Sequence, residues 1–264
     1  MSFFSVKNLS AGYAREYVIR EICFDFDVGT FMGILGANGS GKTTLLKAIC
    51  GILPHEGCCV LEGTQLEKLS ARKIARLCSY IPQRSGITID ISALDVVLMG
   101  FNPCMGILER PGAEMYKAAR RALEQVGLAE KENDNYQYLS EGQKQLCILA
   151  RTLVAQSRLM LLDEPESALD FRYRYRMLDL LRKWVDGQNA GVVATLHDPS
   201  LALNYCDRLL ILSEGRCLGI LSPKTDSLQQ MEQLLSMVYG PVSLQTSVSR
   251  GGRKQLVMLK EDDR

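Results

Sequence analysis

Apolar and polar positions follow two different periods along this chain, and the switches between them mark its elements. In "REICFDFDVG", Ile22, Phe24 and Phe26 alternate with Glu21, Asp25 and Asp27, the two-residue period of a half-buried strand. "TFMGILG" then predicts a buried strand running into a glycine-rich loop. A helix follows in "GKTTLLKAIC", with Gly51 as its C-terminal stop, and another in "ARKIARLC" after Ser70. A short strand, "SYIPQ", leads to Gln83.

Between Gln83 and Ser140 the pattern turns helical. "AEMYKAARRALEQVG" sets Met115, Ala118, Ala119, Ala122 and Val126 on one face and ends at Gly127. After "SEGQ", the stretch "KQLCILARTLVAQ" places Leu146, Leu149, Ala150, Leu153 and Val154 at helical spacing. Strands return as "RLMLLD" and "GVVATLH", separated by the helix "FRYRYRMLDLLRKWVD". Strands alternating with helices imply a parallel sheet covered on both faces. "DRLLILSEGRCLGIL" reads as a hairpin turning at Ser213–Gly215, and "SRGGRKQLVMLKEDDR" as one further strand with a charged tail.

At 264 residues, this pattern fits one large α/β domain or a core with a smaller subdomain. A net charge of +1 gives no electrostatic footprint for nucleic acid, so no such partner is expected. No apolar run approaches the ~18–20 residues of a bilayer span. The start "MSFFSVKNLSAGY" lacks the basic region and long apolar stretch of a secretory signal. The nine cysteines show no zinc-finger spacing and are read as reduced thiols of a cytoplasmic protein. His55, in "LPHEG", is read as a loop residue.

The chemistry sits in the loops. Gly36-Ala37-Asn38-Gly39-Ser40-Gly41-Lys42-Thr43 fits G-x-x-x-x-G-K-[ST], a phosphate loop between a strand and a helix. Its glycines let backbone N–H groups curl around phosphates, Lys42 reaches the β- and γ-phosphates, and the Thr43 hydroxyl serves Mg²⁺. "RLMLLDEP" is an apolar strand ending in two carboxylates. Asp163 is placed to hold Mg²⁺, and Glu164 to orient or deprotonate a water aimed at the γ-phosphate. His197 is expected to end its strand on the same rim and to donate to the γ-phosphate, though a lone histidine is more often structural; Gln83 is there a ligand of Mg²⁺ or water, or by itself a surface turn after Pro82. Tyr13, in "AGYA", is a candidate to stack on adenine, or a turn residue. "SEGQ" is a second candidate anion site at a helix start, but Ser140 with Gln143 also makes an ordinary capping box.

Together these segments resemble the ATP-binding subunits of ABC transporters over almost the whole chain. "GANGSGKTT", which includes Thr44, is similar to their Walker A loop, "LMLLDEP" to their Walker B strand, and "LSEGQ" (Ser140, Glu141, Gly142, Gln143) to their signature. Gln83 falls at their Q-loop, "SALD" (Ser167 to Asp170) at their D-loop, and His197 at their switch. Glu141 stands where the usual signature has glycine, and Glu166 replaces the commoner threonine.

The resemblance implies an α/β P-loop NTPase core with a mostly parallel sheet, an N-terminal antiparallel β subdomain and a helical insertion carrying the signature. Residues 1–83 and 141–264 would form the nucleotide-binding core with the β subdomain, and 84–140 the mainly helical part. It further implies ATP hydrolysis with Mg²⁺ and a head-to-tail homodimer in which the signature reads the partner's nucleotide. The partners would be integral membrane permease subunits and, indirectly, a substrate-binding protein. The location would be peripheral, at the cytoplasmic face of the cell membrane. "DVVLMGFNPCMG", "LHDPSLALNYCDRLLIL" and "MVYGPV" resemble importer ATPases for iron–siderophore, haem and cobalamin. Zinc or manganese import, or a soluble ABC ATPase outside transport, stay open as alternatives.

Overall fold

The computed structural model describes residues 2–14, 16–83, 85–106, 108–167 and 169–262. Three sheets organise them. The antiparallel sheet joins β1 (Phe4–Tyr13), β2 (Glu16–Phe26), β4 (His55–Leu61) and β5 (Thr64–Gln65) in the order β2-β1-β4-β5. The central sheet contains β3 (Phe31–Leu35), β6 (Cys78–Ile81), β7 (Leu159–Asp163), β8 (Gly191–Thr195), β9 (Arg208–Ser213) and β10 (Arg216–Leu221). Its order is β10-β9-β3-β8-β7-β6, parallel except for β10. A hairpin of β11 (Val242–Val248) and β12 (Lys254–Lys260) lies at the end of the chain.

The central strands are apolar on both faces because each face meets a different core. Met32 and Ile34 of β3, with Leu159 and Leu161 of β7, point into one core beside the antiparallel sheet. Helix α1 (Lys42–Ile49) supplies Leu45, Leu46 and Ala48 to it. The alternate residues, Phe31, Leu35, Met160 and Leu162, enter the opposite core. The helices there include α3 (Ala93–Leu98), α4 (Ala113–Val126), α5 (Glu141–Val154), α6 (Phe171–Gly187), α7 (Pro199–Tyr205) and α8 (Leu228–Tyr239). Each fully buried leucine stabilises by roughly 1.5–3 kcal/mol, so one strand welds both layers to the sheet. α5 packs on α3 and α4, and the three share this core with α6 rather than enclosing one of their own.

Most expected elements are present, including α2 (Ala71–Leu77) behind Ser70 and the hairpin turn at Glu214–Gly215, both at positive φ. Two details differ. β8 stops at Thr195, so His197 lies two residues beyond the strand it was expected to end. His55 opens β4 instead of lying in a loop. The last segment forms one strand, β12, as expected, and residues 242–248 pair with it. Among the described residues, no helix is long and apolar enough to cross a membrane.

Candidate nucleotide site

Parallel register brings the ends of four strands to one rim. Asp163 pairs with Thr195, Ile34 with Thr195, and Ile81 with Leu162. The residues that follow, Gly36, Gln83, Glu164 and His197, therefore emerge side by side, where parallel sheets bind ligands.

The phosphate loop is shaped for close backbone approach. Gly39 and Gly41 have φ of +80° and +102°, and Gly41 caps α1 without any side-chain hydrogen bond. A Cβ at Gly41 would come within 2.5 Å of Ile19. The N–H groups of the first helical turn are thus left for an anion. Ser40 Oγ is buried without a partner among the described residues, an unused donor inside the same loop. Lys42 is 6% exposed, and its Nζ donates to the carbonyls of Gly36 (2.9 Å) and Ala37 (3.2 Å) and lies 3.9 Å from Glu164. Asn38 lines the adjoining cleft, and Thr44 is buried in α1.

Thr43 and Asp163 meet as expected of a shared cation site, with Thr43 Oγ1 donating to Asp163 Oδ1 at 3.0 Å. Thr195 Oγ1 donates to the same oxygen at 3.0 Å, and Tyr80 OH donates to Oδ2 at 3.3 Å. Burial and the neighbouring carboxylate push the Tyr80 hydroxyl above its ordinary pKa, so it stays a donor. These oxygens suit a hard divalent cation such as Mg²⁺. Glu164 sits at φ +47°, a left-handed conformation costing about 1–3 kcal/mol for a residue with a Cβ. Its N–H donates to Thr195 Oγ1 at 2.7 Å, and its carboxylate accepts from Gln83 Nε2 at 2.9 Å. Gln83 Nε2 also approaches Ser167 Oγ at 3.3 Å. Gln83, Glu164, Glu166, Ser167 and His197 line a cleft of about 780 Å³ with Asn38, Arg174 and Asp198.

Glu166 is 1% exposed and accepts the His197 N–H at 2.6 Å, which ties the switch backbone to the Walker B segment. Burial holds its carboxyl above the ordinary value, against the effect of that N–H. Asp170 caps α6 through the Tyr173 N–H at 3.0 Å, while Ala168 of "SALD" lies outside the described residues. Tyr13, 50% exposed, ends β1 outside the cleft lining.

The signature segment starts α5 with both halves of a capping box. Ser140 N–H donates to Gln143 at 2.9 Å, and Gln143 N–H to Ser140 Oγ at 3.3 Å. Glu141 forms an ion pair with Lys144 at 2.8 Å. Gly142 is packed so closely that a Cβ would lie 2.9 Å from the Tyr173 ring. None of residues 140–143 lines the cleft beside the phosphate loop; Glu141 lines a neighbouring one. Gln145 joins the two regions by donating to the Gln83 carbonyl at 2.9 Å. Sequence reading missed Tyr80, Thr195 and Gln145. The placement of Thr195 at the end of "GVVAT", level with Asp163, was the only available signal.

A glycine loop opening a helix between parallel strands, with an acidic strand end facing it, defines a P-loop nucleoside triphosphatase. A family model described as "ABC transporter" matches residues 19–167. The chain is 35% identical over 231 residues to the hemin import ATP-binding protein HmuV of Bordetella bronchiseptica, covering 84% of this chain and 87% of that one. It is 33% identical over 218 residues to a protein of Helicobacter pylori named as a probable iron chelatin transport ATP-binding protein, covering 80% and 84%. An inward-facing ABC transporter structure described as of metal-chelate type superposes with a TM-score of 0.84 at 27% identity, over 99% of each chain. A dimeric ATP-binding cassette bound to ADP and Pi shares the fold, with a TM-score of 0.74 at 24% identity over 83% of this chain and 98% of that one. The chain belongs to the ABC transporter family, as an ATP-binding and ATP-hydrolysing subunit.

Proposed function

We propose that this subunit powers import of an iron chelate or haem, with cobalamin in the same substrate class, by closing head to tail on a second copy around two ATP molecules. The names of its relatives support the substrate class. The observation that carries the shared site is the separation of two anion-binding helix starts: residues 140–143 do not line their own chain's nucleotide cleft.

In this reading, the loop from Gly36 to Thr44 and Lys42 bind the phosphates, and Tyr13 packs on the base. Asp163 and Thr43, with Gln83, hold Mg²⁺, which would neutralise charge on the β- and γ-phosphates. Glu164 takes a proton from the attacking water, Gln83 orients that water, and His197 donates to the γ-phosphate. Ser140, Glu141, Gly142 and Gln143 are offered to the partner's nucleotide, and Ser167 and Asp170 face the partner across the pair. Loss of the γ-phosphate removes contacts made only in the closed pair, so the pair reopens. The remaining partners are membrane permease subunits and, through them, a substrate-binding protein, with this chain peripheral on the cytoplasmic face.

The test is complementation. Ser140→Arg and Lys42→Ala are each expected to hydrolyse ATP poorly, while their mixture restores one intact composite site and measurable turnover. A mixture that forms mixed dimers yet stays inactive would overturn the shared site. Uptake of labelled iron chelates, haem and cobalamin by cells lacking this chain tests the substrate class separately.

A further inference from the structure

His55, Cys59 and Glu67 converge outside the nucleotide motifs, at the edge of the antiparallel sheet. His55 opens β4 and Cys59 lies four residues along it, beyond the irregularity at Gly57, and Glu67 reaches both from the turn at residues 66–68. One ligand atom from each lies within 4.8 Å of the other two. The site is enclosed: Cys59 is 0% exposed, and the side chains of His55 and Glu67 are 9% and 22% exposed.

The hydrogen bonds of His55 make this grouping more than a chance cluster. Its Nδ1 lies 3.3 Å from the Leu53 carbonyl, which can only accept, so Nδ1 carries a hydrogen. In the neutral ring Nε2 then turns its lone pair toward Glu67 Oε1, another acceptor, 3.0 Å away. Something positive must lie between them, either a second ring proton, which makes an ion pair, or a bound cation. A backbone carbonyl fixing one ring nitrogen while the other faces outward is also the usual arrangement of a metal-bound histidine. The Cys59 N–H donates to the same Glu67 oxygen at 2.7 Å, which holds the carboxylate in place.

We propose that His55 Nε2, Cys59 Sγ and Glu67 Oε1 bind one divalent transition-metal ion of the zinc class. Nitrogen, sulfur and oxygen donors together select a borderline-soft ion over Mg²⁺ or Ca²⁺. Three protein ligands leave a fourth tetrahedral position for water. Coordination replaces the Cys59 S–H bond by a metal–thiolate bond and releases that proton to solvent, so affinity rises with pH. The ion would pin the loop leaving α1 to the β subdomain, because the His55 ring is anchored to Leu53. The site is independent of the composite ATP site.

The probe is Co²⁺, titrated into the metal-stripped full chain with saturating MgATP present. The expected result is one Co²⁺ per chain with a thiolate-to-cobalt charge-transfer band, displaced by Zn²⁺, and a higher thermal midpoint in Zn²⁺. Cys59→Ser should lose the band. His55→Gln and Glu67→Gln, which alter partly exposed side chains, should stay folded by circular dichroism and bind at least about tenfold more weakly. Absence of the band in the native chain overturns the proposal, as does a band that survives in Cys59→Ser. Unchanged affinity in both His55→Gln and Glu67→Gln also overturns it. So does a nitrogen NMR spectrum showing His55 doubly protonated with Zn²⁺ present, the signature of a simple ion pair.

Discussion

The starts of α1 and α5 are both helix N-termini that the proposed site gives to phosphate, yet they are built in opposite ways. α1 begins at Gly41 with no side-chain cap and no acidic residue in its first turn. α5 begins at Ser140 with a complete capping box and with Glu141 in its first turn. An uncapped terminus keeps its donors available and its partial positive charge exposed, whereas a capped one is satisfied within its own chain. The first is therefore a finished anion site. The second has a serine hydroxyl and a buried glycine, which the proposed head-to-tail pair would offer to a partner's phosphate. The difference shows why a repeated physical device need not mean a repeated function.

The comparison can be broken most forcefully at the rim beside α1. Glu164→Gln should lower turnover by roughly 10²–10⁴ while ATP binding survives, and should accumulate an ATP-bound dimer. Steady-state hydrolysis and size-exclusion chromatography with ATP check both halves. Lys42→Ala removes the charged donor of the uncapped start and should weaken ATP binding by about 10- to 150-fold, the equivalent of ~1.5–3 kcal/mol. Fluorescent-nucleotide titration measures it.

At α5 the expected effects are smaller and steric. Gly142→Ala drives a methyl toward the Tyr173 ring at 2.9 Å and should destabilise the fold by about 1–3 kcal/mol, relieved in the double variant with Tyr173→Ala. Denaturant midpoints of the two variants decide. Glu141→Gly removes a carboxylate that Lys144 already partly neutralises, so ATP-driven dimerisation of the Glu164→Gln form should tighten by only ~0.3–1 kcal/mol. Analytical ultracentrifugation resolves a change of that size.

Legibility in the sequence follows the range of the interaction. The phosphate loop, the acidic strand end and the capping box are written in consecutive residues, so the residues themselves declared them. Register across the sheet is not local: Tyr80 and Thr195 reach Asp163 from β6 and β8. β4 escaped detection because a register shift in its pairing with β1, between Lys7 and Ser10, breaks its alternation around Gly57. α5 showed only part of its burial pattern, since Cys147 and Ile148 are buried as well as the expected face. Departures from the family pattern at Glu141 and Glu166 were visible, but their ties to Lys144 and to the His197 backbone were not.

The 2.9 Å grip of the Gln145 amide on the Gln83 carbonyl has a kinetic consequence. The glutamine that touches Glu164 is fastened to the same helix that starts at Ser140, the serine that the proposed pair lends to its neighbour. In the proposed head-to-tail pair, filling one half would then strain or relax the other, so turnover should climb with ATP more steeply than a simple saturation curve.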